Sequence, residues 1–296
     1  QEQHKRLSLR NRVKHPVRLP GAWWLTKTAT RILWEHKGLF AGILVIYGLL
    51  NLVLVRGLAS NTDVGSLKHQ FDQVFKGHFG SVISSLSVFA LLVGSAGNGS
   101  SQTAGAYQFF LALIASLAII WTLRQVIAHN IIRVRDAYYR GMYPLIPFIL
   151  VLLVIGLQLL PLLIGSALYS TVITNGIAVN FIEKFICALL FISLALWSLY
   201  MISSSLFALY IVTLPDMTPM KALRSAGELV RHRRWTVLRK ILYMPLVLLI
   251  AAAIIMVPVI VVAAALAQWV FFLLTMCALA SIHAYMYALY RELLNE

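Results

Sequence analysis

The sequence predicts an all-α, polytopic integral membrane protein of about six transmembrane helices in three hairpins, with amphipathic helices on the cytoplasmic side. Three observations predict it. Of 296 residues, 60% are hydrophobic and only 12% charged, with a mean hydropathy of +0.83, whereas soluble domains are about 45–50% apolar and about 25% charged. Continuous apolar runs reach the roughly 20 residues needed to cross a bilayer. The charge is lopsided, 25 Lys and Arg against 10 Asp and Glu. This composition excludes a soluble enzyme, a disordered chain and a secreted disulfide scaffold. A β-barrel is excluded because the runs do not alternate in and out.

The elements follow in order. Residues 1–20 form a basic tail, with Lys5, Arg6, Arg10, Arg12, Lys14 and Arg18 against Glu2, expected to be disordered in water. Residues 21–296 form one transmembrane helical domain. In its entry, 22–37, Leu25, Ala29, Ile32 and Leu33 oppose Lys27, Arg31 and Glu35, and Trp23, Trp24 and Trp34 suit the headgroup belt. Spans are expected at about 38–58, 106–128, 145–172, 185–212, 241–264 and 266–290. The extracytoplasmic segment 59–105 contains an apolar stretch, 81–93, too short to cross easily. It reads as re-entrant or packed on the outer face, with a seventh span as the alternative. No cleavable signal peptide is expected, since Leu58-Ala59-Ser60-Asn61 lacks a convincing small-residue cleavage pattern, and the first span stays as an anchor.

Lys and Arg bias connections to the cytoplasm. Six spans with the N-terminus inside place every Lys and Arg there except Arg56, Lys68, Lys76 and Lys184. The expected location is therefore the cytoplasmic (plasma) membrane, with both termini cytoplasmic. Cys187 and Cys277 sit in apolar runs far apart, so they read as core packing rather than a disulfide or zinc pair.

Two hairpins look related. Tyr143-Pro144-Leu145-Ile146-Pro147 is followed by Pro161 and a helix ending Phe207-Ala208-Leu209-Tyr210, and Tyr243-Met244-Pro245 is followed by Pro258 and a helix ending Tyr287-Ala288-Leu289-Tyr290. Each of three hairpins is entered through a basic, aromatic stretch, at 33–38, 137–141 and 230–235. A parallel repeat of three hairpins is one reading, and chance similarity in an apolar sequence is the other. The prolines Pro147, Pro161, Pro245 and Pro258 free backbone carbonyls and mark either a substrate site or packing kinks, with kinks preferred.

The fourth connection is the most regular local signal. Thr218 is a good N-cap and Pro219 a good first helical residue, with a helix to about Arg231. Met220, Ala222, Leu223, Ala226, Gly227, Leu229 and Val230 share one side, and Lys221, Arg224, Glu228 and Arg231 the other. This predicts an amphipathic helix on the cytoplasmic leaflet, where Arg224, Arg231, Arg233 and Arg234 either bind anionic lipid headgroups or serve only to anchor the topology, with anchoring preferred. The run Pro219-Met220-Lys221-Ala222-Leu223-Arg224-Ser225-Ala226-Gly227-Glu228-Leu229-Val230, followed by Arg234-Trp235, resembles the cytoplasmic linker of the membrane domain of glycerophosphoryl diester phosphodiesterases and related uncharacterised six-helix membrane families. The likeness is best over 213–250 and extends loosely across 106–290. It implies a membrane domain only, because that family's catalysis resides in a separate soluble barrel, so no catalytic residue is carried over.

The search for chemistry leads the same way. The spans hold no Asp or Glu at mid-depth, which argues against acid–base catalysis and ion-coupled transport. His69, Asp72 and His78 do not share one helical face, so no metal site is expected. His283 reads as a hydrogen-bonded bundle residue. Asn51, Gln158 and Gln268 read as interhelical glue. Gly94-Ser95-Ala96-Gly97-Asn98-Gly99-Ser100 lacks the phosphate-loop ending and reads as a tether. The expectation is a non-enzymatic, cofactor-free membrane protein in a lipid-interacting, assembly or transport-accessory role. The alternative is an uncoupled small-molecule or lipid permease with a proline-kinked central site. Expected partners are the bilayer, anionic headgroups and other membrane proteins, and not nucleic acid.

Overall fold

The computed structural model describes residues 20–55, 80–95, 102–176, 180–231 and 233–294, and every regular element among them is an α-helix. The basic tail up to residue 19, residues 56–79 with His69, Asp72 and His78, and tether residues 96–100 lie outside the described residues. In chain order the helices are α1 (Ala22–Glu35), α2 (Lys37–Leu54), α3 (Gly80–Ser95), α4 (Gln102–Ile127), α5 (Val134–Gly141), α6 (Leu145–Thr174), α7 (Phe181–Ile211), α8 (Pro219–Val230), α9 (Arg234–Val262) and α10 (Ala264–Leu294). Six of them, α2, α4, α6, α7, α9 and α10, are long and apolar enough to cross a membrane. The chain is a multi-pass, all-α membrane protein.

The spans pair as hairpins α2–α4, α6–α7 and α9–α10. Three start well before the apolar run predicted for them, α4 at Gln102, α7 at Phe181 and α9 at Arg234. Helix α7 begins at Phe181 because Glu183 accepts a hydrogen bond from the Asn180 backbone N–H, at 3.2 Å, a capping box. Helix α9 begins at Arg234 because the cationic turn Arg234–Lys240 continues the helix beyond its apolar part. Helix α3, 16 residues long, spans about 24 Å. It lays Val88, Phe89 and Leu92 against Met256, Ile260 and Ala267, at the end where α9 turns into α10.

At the opposite end α1, α5 and α8 form a collar, and each seats on the hairpin before it in cyclic order. Helix α5 packs on α4 and α2, α8 on α7 and α6, and α1 on α10 and α9. Small side chains permit the close approach. A Cβ on Gly141 of α5 would stand 3.1 Å from the Ala118 Cα of α4. Tyr138 donates a hydrogen bond to the Ile43 carbonyl of α2, at 2.7 Å, and burial, with Tyr47 nearby, pushes its phenol up to about 12. Leu25 and Ala29 of α1 are fully enclosed in the core shared with α10. Lys240 donates to the Pro20 carbonyl, and Tyr285 donates to the Lys240 carbonyl at 2.9 Å, tying the start of α1 to the third hairpin.

Helix α8 starts as its sequence requires, with Thr218 accepting from the Lys221 N–H at 3.4 Å. Its Ala222, Ala226 and Val230 are buried in the core that contains Phe207 and Ala208 of α7. That side therefore faces protein, and Met220, expected on it, is 72% exposed. The cysteine expectation also needs correction, since Cys277 is exposed and Cys187 only half-buried. Among the prolines, Pro161, Pro245 and Pro258 interrupt helix interiors. Pro147 stands in the first turn of α6, where its missing N–H breaks no intrahelical bond.

Candidate functional site at the hairpin junction

The second helices of the three hairpins, α4, α7 and α10, meet at the collar end around one guanidinium. A helix end leaves carbonyls without intrahelical partners, and a cation there is favoured by the helix dipole. Helix α7 is served by a residue of another hairpin. Arg124, in the last turn of α4, donates to the Thr213 carbonyl at 2.9 Å and to the Thr213 hydroxyl. Thr213 in turn donates to the Tyr210 carbonyl at 2.8 Å. The third hairpin closes the junction, since the Arg124 side chain also meets the Tyr287 phenol. Tyr210 shares a 3.0 Å hydrogen bond with His283 Nδ1 and stacks on Tyr290, with ring centroids 6.2 Å apart. His283 is thus bonded within the bundle, across to α7 rather than along its own helix.

Beside this junction lies a cleft of about 600 Å³ between the first two hairpins. Trp121 and Arg124 come from α4, Tyr139 and Arg140 from α5, and Tyr143, Pro144 and Pro147 from the entry to α6. The loop Val212–Met217 completes the wall. Asp216 in that loop has a left-handed backbone, φ 57°, which Asp and Asn tolerate best among side-chain-bearing residues. Arg140 and Asp216 stand in the same cleft without forming an ion pair.

The arginines predicted to bind headgroups do not converge on one point. Arg224 and Arg231 are exposed on α8 and at its end, while Arg233 and Arg234 are half-buried. The Arg234 guanidinium lies 4.7 Å above the Tyr200 ring of α7, a cation–π contact. Sequence reasoning counted Arg124 and Arg140 only as orientation signals. The available clue was position, since Arg124 falls inside an apolar span and Arg140 follows a Tyr pair. The packing of α5 on the first hairpin brings Arg140 beside Arg124, and the Arg124–Thr213 bonds hold the loop that carries Asp216 against them.

Of the four prolines singled out in the sequence, Pro147 lines this cleft, whereas Pro161, Pro245 and Pro258 do not, and neither does Gln158. Gln158 Oε1 is buried without a hydrogen-bond partner, while its backbone carbonyl accepts from Ser198 at 2.7 Å. Asn51 reaches Tyr47 one turn earlier in its own helix. Among the described residues no cluster of His, Cys, Asp or Glu is placed to hold a metal ion. No family model matches the sequence, and no characterised protein or solved structure matches it.

Proposed function

We propose that the chain is a non-enzymatic, lipid-interacting membrane protein with an assembly or transport-accessory role, seated in the cytoplasmic membrane with both termini and the collar in the cytoplasm. The observation that carries this reading is the collar itself. Helices α1, α5 and α8 turn small or apolar side chains to the bundle and leave Lys27, Arg31, Arg135, Arg140, Lys221, Arg224 and Arg231 exposed. A ring of cations at one end suits the anionic cytoplasmic leaflet, where each contributes about 1 kcal/mol.

Orientation is tested in the full chain with Cys187 and Cys277 replaced by Ser and one cysteine added at Ser100 or Glu228. A membrane-impermeant thiol reagent should reach the two positions from opposite sides, and labelling from one side sinks the topology. For lipid, the protein purified from membranes should carry phosphatidylglycerol above its membrane abundance. Replacing Arg224, Arg231, Arg233 and Arg234 with Gln should abolish that enrichment, as should high salt during purification. Unchanged enrichment in the variant removes the collar's lipid role.

The uncoupled permease remains the second reading, and Gln158 is the observation that favours it. A buried amide oxygen without a partner, one turn before the interruption at Pro161, is the kind of group a polar solute would satisfy.

A further inference from the structure

The cleft between the first two hairpins gathers three chemistries in one place. Two guanidinium groups, Arg124 and Arg140, share it with one carboxylate, Asp216, and with the aromatic rings of Trp121, Tyr139 and Tyr143. Tyr139 and Tyr143 are 84% and 93% exposed, as amphipathic rings are at a headgroup belt. We infer that this cleft binds the headgroup of an ethanolamine phospholipid, its phosphodiester on Arg124 and Arg140 and its ammonium on Asp216. The inference rests on the reading that the chain engages lipid headgroups, and places a second, selective site away from the α8 arginines.

Charge complementarity selects this headgroup. The Arg140 and Asp216 side chains bear opposite charges in one cleft, and neither forms a hydrogen bond or ion pair with a described residue. A ligand with an anion and a cation a few bonds apart satisfies both. Phosphatidylglycerol would leave the Asp216 carboxylate facing only hydroxyls and phosphate. Phosphatidylcholine brings a cation without an N–H donor, so it could lean on the rings but not hydrogen-bond the carboxylate.

The surroundings suit a ligand that arrives from the bilayer. The spans of the first and second hairpins pack less closely against each other than either does against the third. On α6, Leu150 and Val154 follow Pro147 at helical spacing on the same side, and Leu150 is 47% exposed. An acyl chain can run along that side while the headgroup occupies a cleft of about 600 Å³, within the size range of ligand sites. Arg124 is already anchored to Thr213, so it presents its remaining donors from a fixed position.

The test uses the full chain, delipidated in detergent and titrated with short-chain phosphatidylethanolamine, phosphatidylcholine and phosphatidylglycerol, with bound lipid counted by native mass spectrometry. The ethanolamine lipid should bind about tenfold tighter than the other two, a modest value for a charge-assisted hydrogen bond. Asp216→Asn, which keeps a residue suited to the left-handed backbone, should erase that preference without weakening phosphatidylglycerol. Arg140→Gln should weaken all three. Glycerophosphoethanolamine, which has no acyl chains, should bind far more weakly than the lipid. Equal binding of the three lipids, or a preference that survives Asp216→Asn, overturns the site. Binding of glycerophosphoethanolamine as tight as that of the lipid overturns the membrane source. The collar reading fails by a different measurement, the phosphatidylglycerol enrichment in the α8 variant.

Discussion

An arginine in the last turn of an apolar helix has five donors to satisfy, and can either reach for water or find acceptors in the protein. Arg124 takes the second course, and its acceptors are the orphan groups just beyond the end of α7. Its removal therefore costs its own bonds and leaves the Thr213 carbonyl, just past the helix, without that donor. Arg124→Gln should lower stability by about 1.5–3 kcal/mol, the range for hydrogen bonds to a charged group. Arg124→Lys should recover only part, because an ammonium lacks the fork that reaches carbonyl and hydroxyl together. Thermal unfolding of the purified chain in detergent checks both, and equal melting of Arg124→Gln and the parent would show that the junction holds without it.

At the scale of the element, hydropathy and capping made most of the helices legible. Thr218 and Pro219 mark the start of α8 in the sequence as they do in the fold, and six helices are long and apolar enough to span, as the continuous apolar runs imply. What periodicity could not supply was the neighbour. An apolar face reads the same whether it meets lipid or protein, so Ala222, Ala226 and Val230 suggested a leaflet where the fold puts α7. The candidate cleft was illegible for the same reason, because Arg124, Arg140 and Asp216 come from three separate segments. The interior prolines distinguish the two functional readings. Pro161 and Pro258 withhold N–H groups from the carbonyls one turn earlier, and Pro161→Ala and Pro258→Ala would restore backbone hydrogen bonds worth about 0.5–1.5 kcal/mol each. As packing kinks, both variants should melt within a few degrees of the parent and leave lipid binding intact. In proteoliposomes, the permease reading instead requires passage of a fluorescent phospholipid between leaflets that the parent supports and these variants lose. A parent that moves no such lipid, with variants that behave alike, removes the lipid branch of the permease reading.

Across the whole molecule, the cyclic seating of the collar makes the three hairpins mutually dependent. Each collar helix precedes one hairpin in the chain and packs on another, and α1 completes the circuit by resting on the third hairpin, the last to be made. A chain in which every leader packed on its own hairpin would separate into independent units. This one couples them, so damage to a collar helix should appear in the hairpin beneath it rather than the one that follows it. Gly141→Leu, forced against the Ala118 backbone, should loosen α4. Ala226→Asp, placing a charge in the core below α8, should loosen α7. Leu25→Asp, in α1, should loosen α10 and leave the adjoining α2 protected, although α1 and α2 are separated only by His36. Amide hydrogen exchange measured on the intact chain separates these outcomes. Overpacking or burying a charge at such sites costs roughly 1–3 kcal/mol or more, enough to raise local exchange well above the parent. The decisive case is Leu25→Asp: faster exchange in α2 with α10 unchanged would show that α1 belongs to the hairpin it leads, and the circuit would not exist.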